Sequence, residues 1–381
     1  MSNHDIYHRD FQLKPWWWEA YNPNAMELAD VPRNADVAVI GAGYAGLACA
    51  LELARHGRSC VVFDAEQPGF GGSTRNGGMV SGGRNVGKRY TRATAAERAQ
   101  LGALRRDAAD GFDLVERLIR ENNIECGWHK TGTFTGAWSR RHFEAMKTKV
   151  ADLNAVSEND AYIVPRDRQR EEIGSDYYRG GMVVLRGAHL HPALYFKGLL
   201  GLCDRPGITV CAEAAVTGLR QSGAGWLVHT RRGEIMVDNV VVATNGYTGA
   251  VTPQFQRRVV PVGSYMIATE ELPDEAARSL SPKDRAFSDS RRLLTYYRLS
   301  PDRKRLLFGG RAKFGRVDPQ ETAPILYRFM LDRFPQLKGT RISHAWTGNV
   351  AFTMDELPHM GEMDGLHFAL CTQSSAPPAL Q

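Results

Sequence analysis

Residues 36–46 read Asp-Val-Ala-Val-Ile-Gly-Ala-Gly-Tyr-Ala-Gly, and they say more about the fold than any other part of the chain. A short apolar run enters a Gly-x-Gly-x-x-Gly turn, after which apolar residues recur at helical spacing. In a strand–turn–helix unit, Gly41 allows the tight turn, Gly43 lets the backbone approach a pyrophosphate, and Gly46 lets helix and strand pack closely. Free N–H groups at the start of the helix attract the anion. The segment therefore predicts a dinucleotide-binding βαβ unit.

An acidic residue follows the second predicted strand of this unit. Residues 59–63 form an apolar run that ends in Asp64, 23 positions after Gly41. A carboxylate at the tip of this strand accepts hydrogen bonds from a ribose diol, and it repels the 2′-phosphate of NADP. The alternative is a βαβ unit without a ligand, which the strand, the glycines and the acid together disfavour.

Composition narrows the classes of function. The chain has 381 residues, of which 43% are hydrophobic and 24% charged, as in ordinary globular proteins. That length suits two domains, or one α/β domain with an inserted second one. The 48 basic and 42 acidic residues give a net charge of +6, and arginine pairs are scattered along the chain. Since no dense basic block occurs, we expect no nucleic acid partner.

The sequence predicts a cytoplasmic protein. Its first 30 residues are polar and aromatic, without the apolar core of a signal peptide. No apolar run approaches the ~20 residues of a membrane span. The six cysteines lack metal-binding spacing, and several lie inside apolar runs.

A second glycine-rich segment spans residues 68–83. So many glycines are incompatible with a regular helix or a packed strand. Hydroxyl, guanidinium and amide side chains among them favour a backbone laid against a planar polar ligand, with a flexible surface loop as the alternative.

Before both glycine-rich segments, residues 1–34 form an N-terminal lead with tryptophans at 16–18. We expect this lead to pack on the domain, and a role in a substrate channel is the alternative.

The middle of the chain carries less chemistry. Residues 97–120 and 139–156 predict amphipathic helices typical of an inserted domain. His189 and His191 lie on one face of an extended segment, but zinc needs at least three ligands and no third lies nearby, so we predict no metal. Residues 239–243 predict a buried parallel strand whose polar end falls at the ligand-binding edge of the sheet.

Taken together, these pieces resemble the FAD-dependent amine and D-amino acid oxidoreductases, the group of glycine oxidase, sarcosine oxidase and D-amino acid dehydrogenase. Within that group the chain looks most like γ-glutamylputrescine oxidases. The resemblance runs from about residue 12 to residue 370, and its Arg-Asn-Gly-Gly element is fairly specific. It rests on residues 16–18, 41–46, 64, 73–78, 243–246, 261–265, 297–302, 308–310 and 346–348, and on Thr353, Asp355 and Pro358.

The resemblance implies an α/β fold with a Rossmann-like FAD-binding domain and an inserted α+β substrate domain that contains a mixed or antiparallel sheet. The FAD-binding domain is expected to be discontinuous, over residues 35–98, 188–258 and 345–381. The substrate domain takes residues 99–187 and 259–344. Residues 207–216 are expected to form one strand that ends at Val216, where the backbone meets the adenine.

The resemblance also implies where FAD lies. The turn holds the pyrophosphate, Asp64 holds the ribose, and the second glycine-rich segment follows the ribityl chain and the isoalloxazine. The residues so assigned are Gly41, Ala42, Gly43, Tyr44, Ala45, Gly46, Asp64, Ala65, Ser73, Thr74, Arg75, Asn76, Gly77, Gly78, Val216, Thr244 and Asn245.

The implied reaction is hydride transfer from the C–H beside an amine to flavin N5, followed by hydrolysis of the imine. Glycine and D-amino acid oxidases usually carry an arginine three residues before a Thr-x-Asp-x-x-Pro element, where it binds the substrate carboxylate. This chain has Val350 at that position. The valine favours an amine without an α-carboxylate, such as γ-glutamylputrescine. Oxygen or another acceptor takes the electrons, and the oligomeric state stays open.

Candidate substrate-facing residues are Tyr265, Tyr297, Arg298 and Arg84, with ordinary strand or surface roles as the alternative. Family members continue past residue 370 with a glycine-rich turn and a helix that faces the flavin. Residues 371–381 show neither signal, and two prolines oppose a helix there. One alternative is therefore a catalytically defective flavin-binding protein. The other is an α-amino acid oxidase, in which an arginine such as Arg298 binds the carboxylate in place of the missing one.

Overall fold

The computed structural model describes residues 6–23, 26–81, 94–156, 159–291, 294–311, 317–355 and 357–370. The helices, in chain order, are α1 (Tyr44–Arg55), α2 (Ala95–Glu121), α3 (Arg140–Val156), α4 (Pro192–Leu202), α5 (Pro253–Gln256), α6 (Asp274–Leu280) and α7 (Pro319–Arg333). The strands, in chain order, are β1 (Tyr7–Gln12), β2 (Asn34–Ile40), β3 (Cys60–Phe63), β4 (Met79–Ser81), β5 (Thr133–Gly136), β6 (Ala161–Val164), β7 (Gly181–Val184), β8 (Gly187–His189), β9 (Ile208–Cys211), β10 (Val216–Ser222), β11 (Gly225–Thr230), β12 (Gly233–Val242), β13 (Val260–Thr269), β14 (Ala286–Asp289), β15 (Thr295–Leu299), β16 (Leu306–Gly310), β17 (Ile342–Phe352), β18 (His359–Met363) and β19 (Leu366–Leu370).

One sheet is parallel at its centre, where β12, β2, β3 and β9 lie side by side. An antiparallel extension, β10 and β11, pairs with the first half of β12, and β19 pairs with its last residues. Side chains alternate across the sheet. Val37 and Val39 pack with α1 and α4, whereas Ala38 and Ile40 join the core on the other face. This two-sided burial explains why β2 and β3 are almost continuously apolar.

The second sheet has nine strands in the order β1-β17-β13-β16-β15-β14-β5-β7-β6. Its pairs are antiparallel except for β1 with β17 and β14 with β5. Helix α7 covers one face and buries Leu326 and Met330 against it. The Rossmann-like unit with a second, mixed sheet confirms the predicted fold class.

Two predicted domain boundaries fall inside single elements. Position 99 lies within α2, whose Phe112 and Val115 are buried in the core of the parallel sheet. Position 345 lies within β17, which pairs with β13 in the nine-stranded sheet. A helix or strand is one cooperative unit, so a division of the chain has to pass between these elements.

The predicted strand over residues 207–216 is two strands. β9 ends at Cys211, the chain turns with Glu213 at a φ of 53°, and β10 begins at Val216. Val216 therefore opens an antiparallel strand.

Among the described residues, none of the helices combines the length and apolarity that a membrane span requires.

Candidate functional site

The dinucleotide turn is closed by contacts that only glycine permits. Gly41 has a φ of 106°, and a Cβ added there would lie 2.8 Å from the carbonyl oxygen of Ala243. A Cβ on Gly46 would lie 1.9 Å from the carbonyl oxygen of Gly41. The turn therefore packs against both its own helix and the end of β12, which fixes the N-terminus of α1 at the carboxyl edge of the sheet.

Asp64 lies at the end of β3 and is tied to this turn. Its Oδ2 accepts a hydrogen bond from the Ala42 N–H at 2.9 Å, and its Oδ1 accepts one from the Glu66 N–H at 3.1 Å. Burial raises the pKa of the carboxyl to about 6, and these backbone hydrogen bonds oppose the rise. A hydrogen-bonded carboxylate at this edge is placed to accept bonds from a ribose.

Three tryptophans hold the second glycine-rich segment. Trp17 Nε1 donates to the Asn76 carbonyl oxygen at 2.9 Å, and Trp18 Nε1 donates to Thr74 Oγ1 at 2.8 Å. From the far end of the chain, Trp346 Nε1 donates to the carbonyl oxygen of Arg75 at 2.8 Å. The N-terminal lead thus packs on the domain and braces this segment.

A cavity of about 370 Å³ lies between the two sheets, within the usual size range of ligand pockets. Its walls include the ends of β2, β3 and β12 on one side and residues of β13, β15 and β17 on the other. Thirteen of the residues assigned to FAD line it: Gly41, Gly43, Tyr44, Ala45, Asp64, Ala65, Ser73, Arg75, Asn76, Gly78, Val216, Thr244 and Asn245.

The other four assigned residues support the wall from behind. Ala42 is buried and bonds Asp64, while Gly46 packs on Gly41. Thr74 donates to the Gly69 carbonyl oxygen at 2.7 Å. A Cβ on Gly77 would lie 3.2 Å from the Tyr296 ring, so this glycine lets the loop approach β15.

Tyr265 and Tyr297 point into the core, which corrects their placement as substrate-facing residues. Tyr297 is fully buried, stacks on Phe308 and shares a hydrogen bond of 2.6 Å with Tyr178. The Tyr265 hydroxyl accepts a hydrogen bond from the Val317 N–H at 3.0 Å. Because side chains alternate along a strand, their neighbours face the cavity instead.

Those neighbours are Ser264, Met266 and Tyr296. The Tyr296 hydroxyl and Ser264 Oγ lie 2.7 Å apart, and burial raises the pKa of the Tyr296 phenol. Sequence reasoning missed Tyr296, although Gly309 offered a signal. A Cβ at Gly309 would lie 2.3 Å from the Tyr296 ring, so the glycine opposite it on β16 makes room for the ring.

Arg298 is buried and donates to three backbone carbonyl groups. Its Nε bonds the Leu299 oxygen at 2.9 Å, and its Nη1 bonds the oxygens of Gly78 at 3.0 Å and Leu190 at 2.9 Å. This corrects its assignment as a residue that faces the substrate or binds its carboxylate. Arg84 and residues 371–381 lie outside the described residues.

Val350 lines the cavity, as does its neighbour Asn349. The Asn349 Nδ2 donates to the Gly246 carbonyl oxygen at 3.2 Å and so joins β17 to the turn after β12. An apolar side chain thus occupies the wall at the position where the resemblance leads one to look for a carboxylate-binding arginine.

The structure places His129 and Asp284 beside His189, with one ligand atom of each within 4.8 Å of the others, a proximity that the sequence did not predict. His129 Nδ1 lies 3.0 Å from Asp284 Oδ2, and His189 Nε2 lies 2.9 Å from the Asp284 carbonyl oxygen. Arg303 Nε is 3.8 Å from the same carboxylate. His191 instead caps α4, since its Nδ1 accepts from the Leu194 N–H at 3.2 Å. The predicted absence of a metal stays a prediction.

Comparison with known proteins assigns the family. The model of the FAD dependent oxidoreductase family matches residues 36–376. The chain belongs to this family. It is 33% identical over 337 residues to gamma-glutamylputrescine oxidoreductase of Escherichia coli, covering 87% of the chain and 77% of that protein. It is 30% identical to the probable oxidoreductase OrdL of Haemophilus influenzae, covering 87% of the chain and 76% of OrdL.

Solved structures share the fold at low sequence identity. Glycine oxidase from Geobacillus kaustophilus superposes with a TM-score of 0.75 at 17% identity, covering 92% of both chains. L-proline dehydrogenase from P. horikoshii gives a TM-score of 0.77 at 16% identity, again covering 92% of both chains.

The described residues fit the cofactor of the family. The two glycine contacts leave the N-terminus of α1 open toward the cavity, and Asp64 and Val216 line the same cavity as Tyr296. The protein is an FAD-dependent oxidoreductase. FAD supplies the hydride acceptor, and the protein supplies its orientation and electrostatics.

Proposed function

We propose that this oxidoreductase oxidises an amine that carries no carboxylate on the reacting carbon, with a γ-glutamylputrescine-like compound as the substrate. The observation that carries the proposal is Val350 in the cavity wall. A valine cannot pair with a carboxylate, whereas a bidentate arginine recognises one strongly. The similarity to gamma-glutamylputrescine oxidoreductase supports the same substrate class.

In the proposed reaction, the amine gives up a hydride, for which FAD would be the acceptor, and a proton to solvent, which leaves an imine. Water then adds to the imine carbon, and ammonia or a smaller amine leaves as the aldehyde forms. Oxygen or another acceptor would finally take the two electrons.

Tyr296 and Ser264 are the polar groups that we expect to orient the amine. Their hydroxyl groups are 2.7 Å apart in the cavity, and burial keeps the phenol neutral by raising its pKa. Apolar neighbours such as Met266 exclude water from the reacting carbon.

Among the described residues that line the cavity, the carboxylic acids are Asp64 and Glu66, and histidine and lysine do not occur. Both acids belong to the ribose end. We therefore expect the amine to react in its neutral form, so kcat/KM rises with pH until the substrate ammonium has lost its proton, near a pKa of about 10 for an alkylamine.

The test is anaerobic reduction of the FAD-loaded protein, followed through the visible flavin absorption. We expect γ-glutamylputrescine to bleach the flavin and glycine and D-alanine to leave it oxidised. Faster bleaching by either α-amino acid would overturn the assignment. A flavin that none of them bleaches would favour a defective enzyme or a different amine, and a panel of ω-amino compounds separates these two outcomes.

Two variants sharpen the test. Val350→Arg places a carboxylate-binding group in the wall, and we expect weaker binding of the amine and measurable reduction by glycine. Val350→Leu keeps the wall apolar and serves as the matched control, with a change in KM of less than about threefold.

A further inference from the structure

Arg298 is buried between the two sheets, with 1% of its surface exposed. Nε and Nη1 make the three carbonyl bonds described above, whereas Nη2 is buried and has no hydrogen-bond partner among the described residues. An arginine that serves only to tie loops together has no need of a buried, unpaired amino group, because each such group costs free energy.

The carbonyl groups that it holds belong to the cavity wall. Gly78 and Leu190 both line the cavity, and the Gly78 oxygen also accepts a hydrogen bond from the Leu190 N–H at 2.8 Å. Gly78 has a φ of 64°, and a Cβ there would lie 2.2 Å from the Leu190 oxygen. Arg298 thus reaches from β15 in the nine-stranded sheet to the glycine-rich segment of the FAD-binding unit. It holds the Gly78–Leu190 contact, which is too close to admit a side chain at position 78.

Its charge is poorly compensated. Within the described part of the chain no carboxylate lies within ion-pair distance of Arg298, and Asp284 acts on it only from farther away. That carboxylate already engages His129 and Arg303. Burial lowers the pKa of Arg298 to about 9, which still leaves the guanidinium protonated at neutral pH. The guanidinium also lies over the Trp17 ring, 5.4 Å from its centroid, which offers a weaker attraction than a carboxylate. A buried cation without a carboxylate partner is unfavourable until negative charge develops beside it.

We propose that Arg298 is a positioning residue of the FAD site, which acts through the carbonyl groups of Gly78 and Leu190 and whose buried charge favours the reduced, more negatively charged state of the bound cofactor. The inference rests on FAD as the cofactor and not on the identity of the amine. Its test therefore needs no substrate.

The measurement is the midpoint potential of the bound flavin against a reference dye, together with the FAD dissociation constant and the melting temperature. In Arg298→Met the charge and the carbonyl bonds are both lost. We expect the reduction equilibrium to shift about tenfold toward the oxidised state, which is about 30 mV for a two-electron couple. Arg298→Lys keeps the positive charge but loses the planar guanidinium that bonds several carbonyl groups at once. We therefore expect its reduction equilibrium constant to stay within about threefold of wild type, while FAD binds more weakly.

Arg305→Met is the matched control. Arg305 also donates to a carbonyl group, that of Thr269 at 3.0 Å, but it pairs with Glu271, and Thr269 does not line the cavity, whereas Gly78 and Leu190 do. We expect a lower melting temperature and an unchanged potential. If Arg298→Met behaves in the same way, Arg298 is only structural. If the midpoint potential falls as far in Arg298→Lys as in Arg298→Met, the charge of Arg298 does not set the potential. Either result overturns the proposal.

A variant that leaves Arg298 in place keeps the proposal testable if Arg298→Met does not fold. Asp284→Asn removes the carboxylate that opposes the charge of Arg298. The proposal then requires a shift in the opposite direction, toward the reduced state. An unchanged or lower potential in Asp284→Asn contradicts it.

Discussion

The two ends of the cavity are built in different ways. The end around Gly41 and Asp64 is built mostly of backbone groups from a glycine turn that packs on the end of β12 at Ala243, and the close contacts at Gly41 and Gly46 require the absence of a Cβ. The end around Tyr296, Met266 and Val350 is made of side chains from three strands that are far apart in the chain. A backbone-built site tolerates almost no substitution, whereas a side-chain site changes its specificity one residue at a time.

Replacing Gly46 with alanine has the largest expected effect. The new Cβ would lie 1.9 Å from the Gly41 oxygen, so α1 must move away from the turn. We expect a loss of about 3 kcal/mol of stability and little retained FAD, measured by melting temperature and flavin content. Gly201→Ala, with no atom within 4 Å of its Cβ, is the control and should keep both. Full FAD content in Gly46→Ala would show that the turn is less constrained than its contacts indicate.

Asp64 gives the backbone-built end a dependence on pH. If the ribose hydroxyl groups donate to the ionised carboxylate, as we propose, FAD affinity should fall up to about tenfold per pH unit below the pKa of about 6. The free protein behaves in the opposite sense. Its raised pKa means that the folded state holds the proton more tightly than the unfolded chain, so this contribution to stability is present at low pH and is lost as pH rises from the ordinary 3.8 to about 6.

Asp64→Asn separates these effects. The amide cannot ionise, so we expect FAD to bind about 10- to 100-fold more weakly at pH 8 and with little change toward pH 5. Titration of the FAD-free protein by flavin fluorescence gives both values. An affinity in the variant that still falls at low pH would assign the dependence to another group.

The adjacent tyrosines of β15 test the side-chain end. Tyr296→Phe removes a hydroxyl in the cavity, and we expect kcat/KM to fall about tenfold with little change in stability. Tyr297→Phe removes the hydroxyl bonded to Tyr178 in the core, so stability should fall by about 1–2 kcal/mol while kcat/KM stays constant. The reverse pattern would restore Tyr297 as the residue that faces the substrate.

The smallest effect is expected at the N-terminal lead. Trp18→Phe keeps the packing near Arg75 but removes the bond to Thr74 Oγ1. Loss of one neutral hydrogen bond costs about 1 kcal/mol, so FAD should bind about fivefold more weakly. The same substitution at Trp16, whose Nε1 has no partner among the described residues, is the control and should leave FAD affinity unchanged.

The sequence predicted the backbone-built part of the site better than the part made of side chains. Thirteen of the residues that the family resemblance assigned to FAD line one cavity. For the turn and Asp64, the glycine spacing and the acid after β3 also predicted the site from local backbone geometry. Tyr265 and Tyr297 were assigned to the wrong face of their strands. A single strand does not reveal which side meets a ligand when both of its faces are buried, as they are in β15.

From the sequence by itself, local motifs predicted a dinucleotide-binding βαβ unit, since their geometry is fixed over a few residues, and the resemblance that those motifs carry indicated the family, the cofactor and the fold class. Only the tertiary structure decided that Tyr296 rather than Tyr297 meets the cavity and that Arg298 holds backbone carbonyl groups instead of substrate. The physical reason is distance along the chain. The partners of Arg298 at Gly78 and Leu190 lie 220 and 108 residues away, and no local pattern encodes such a contact.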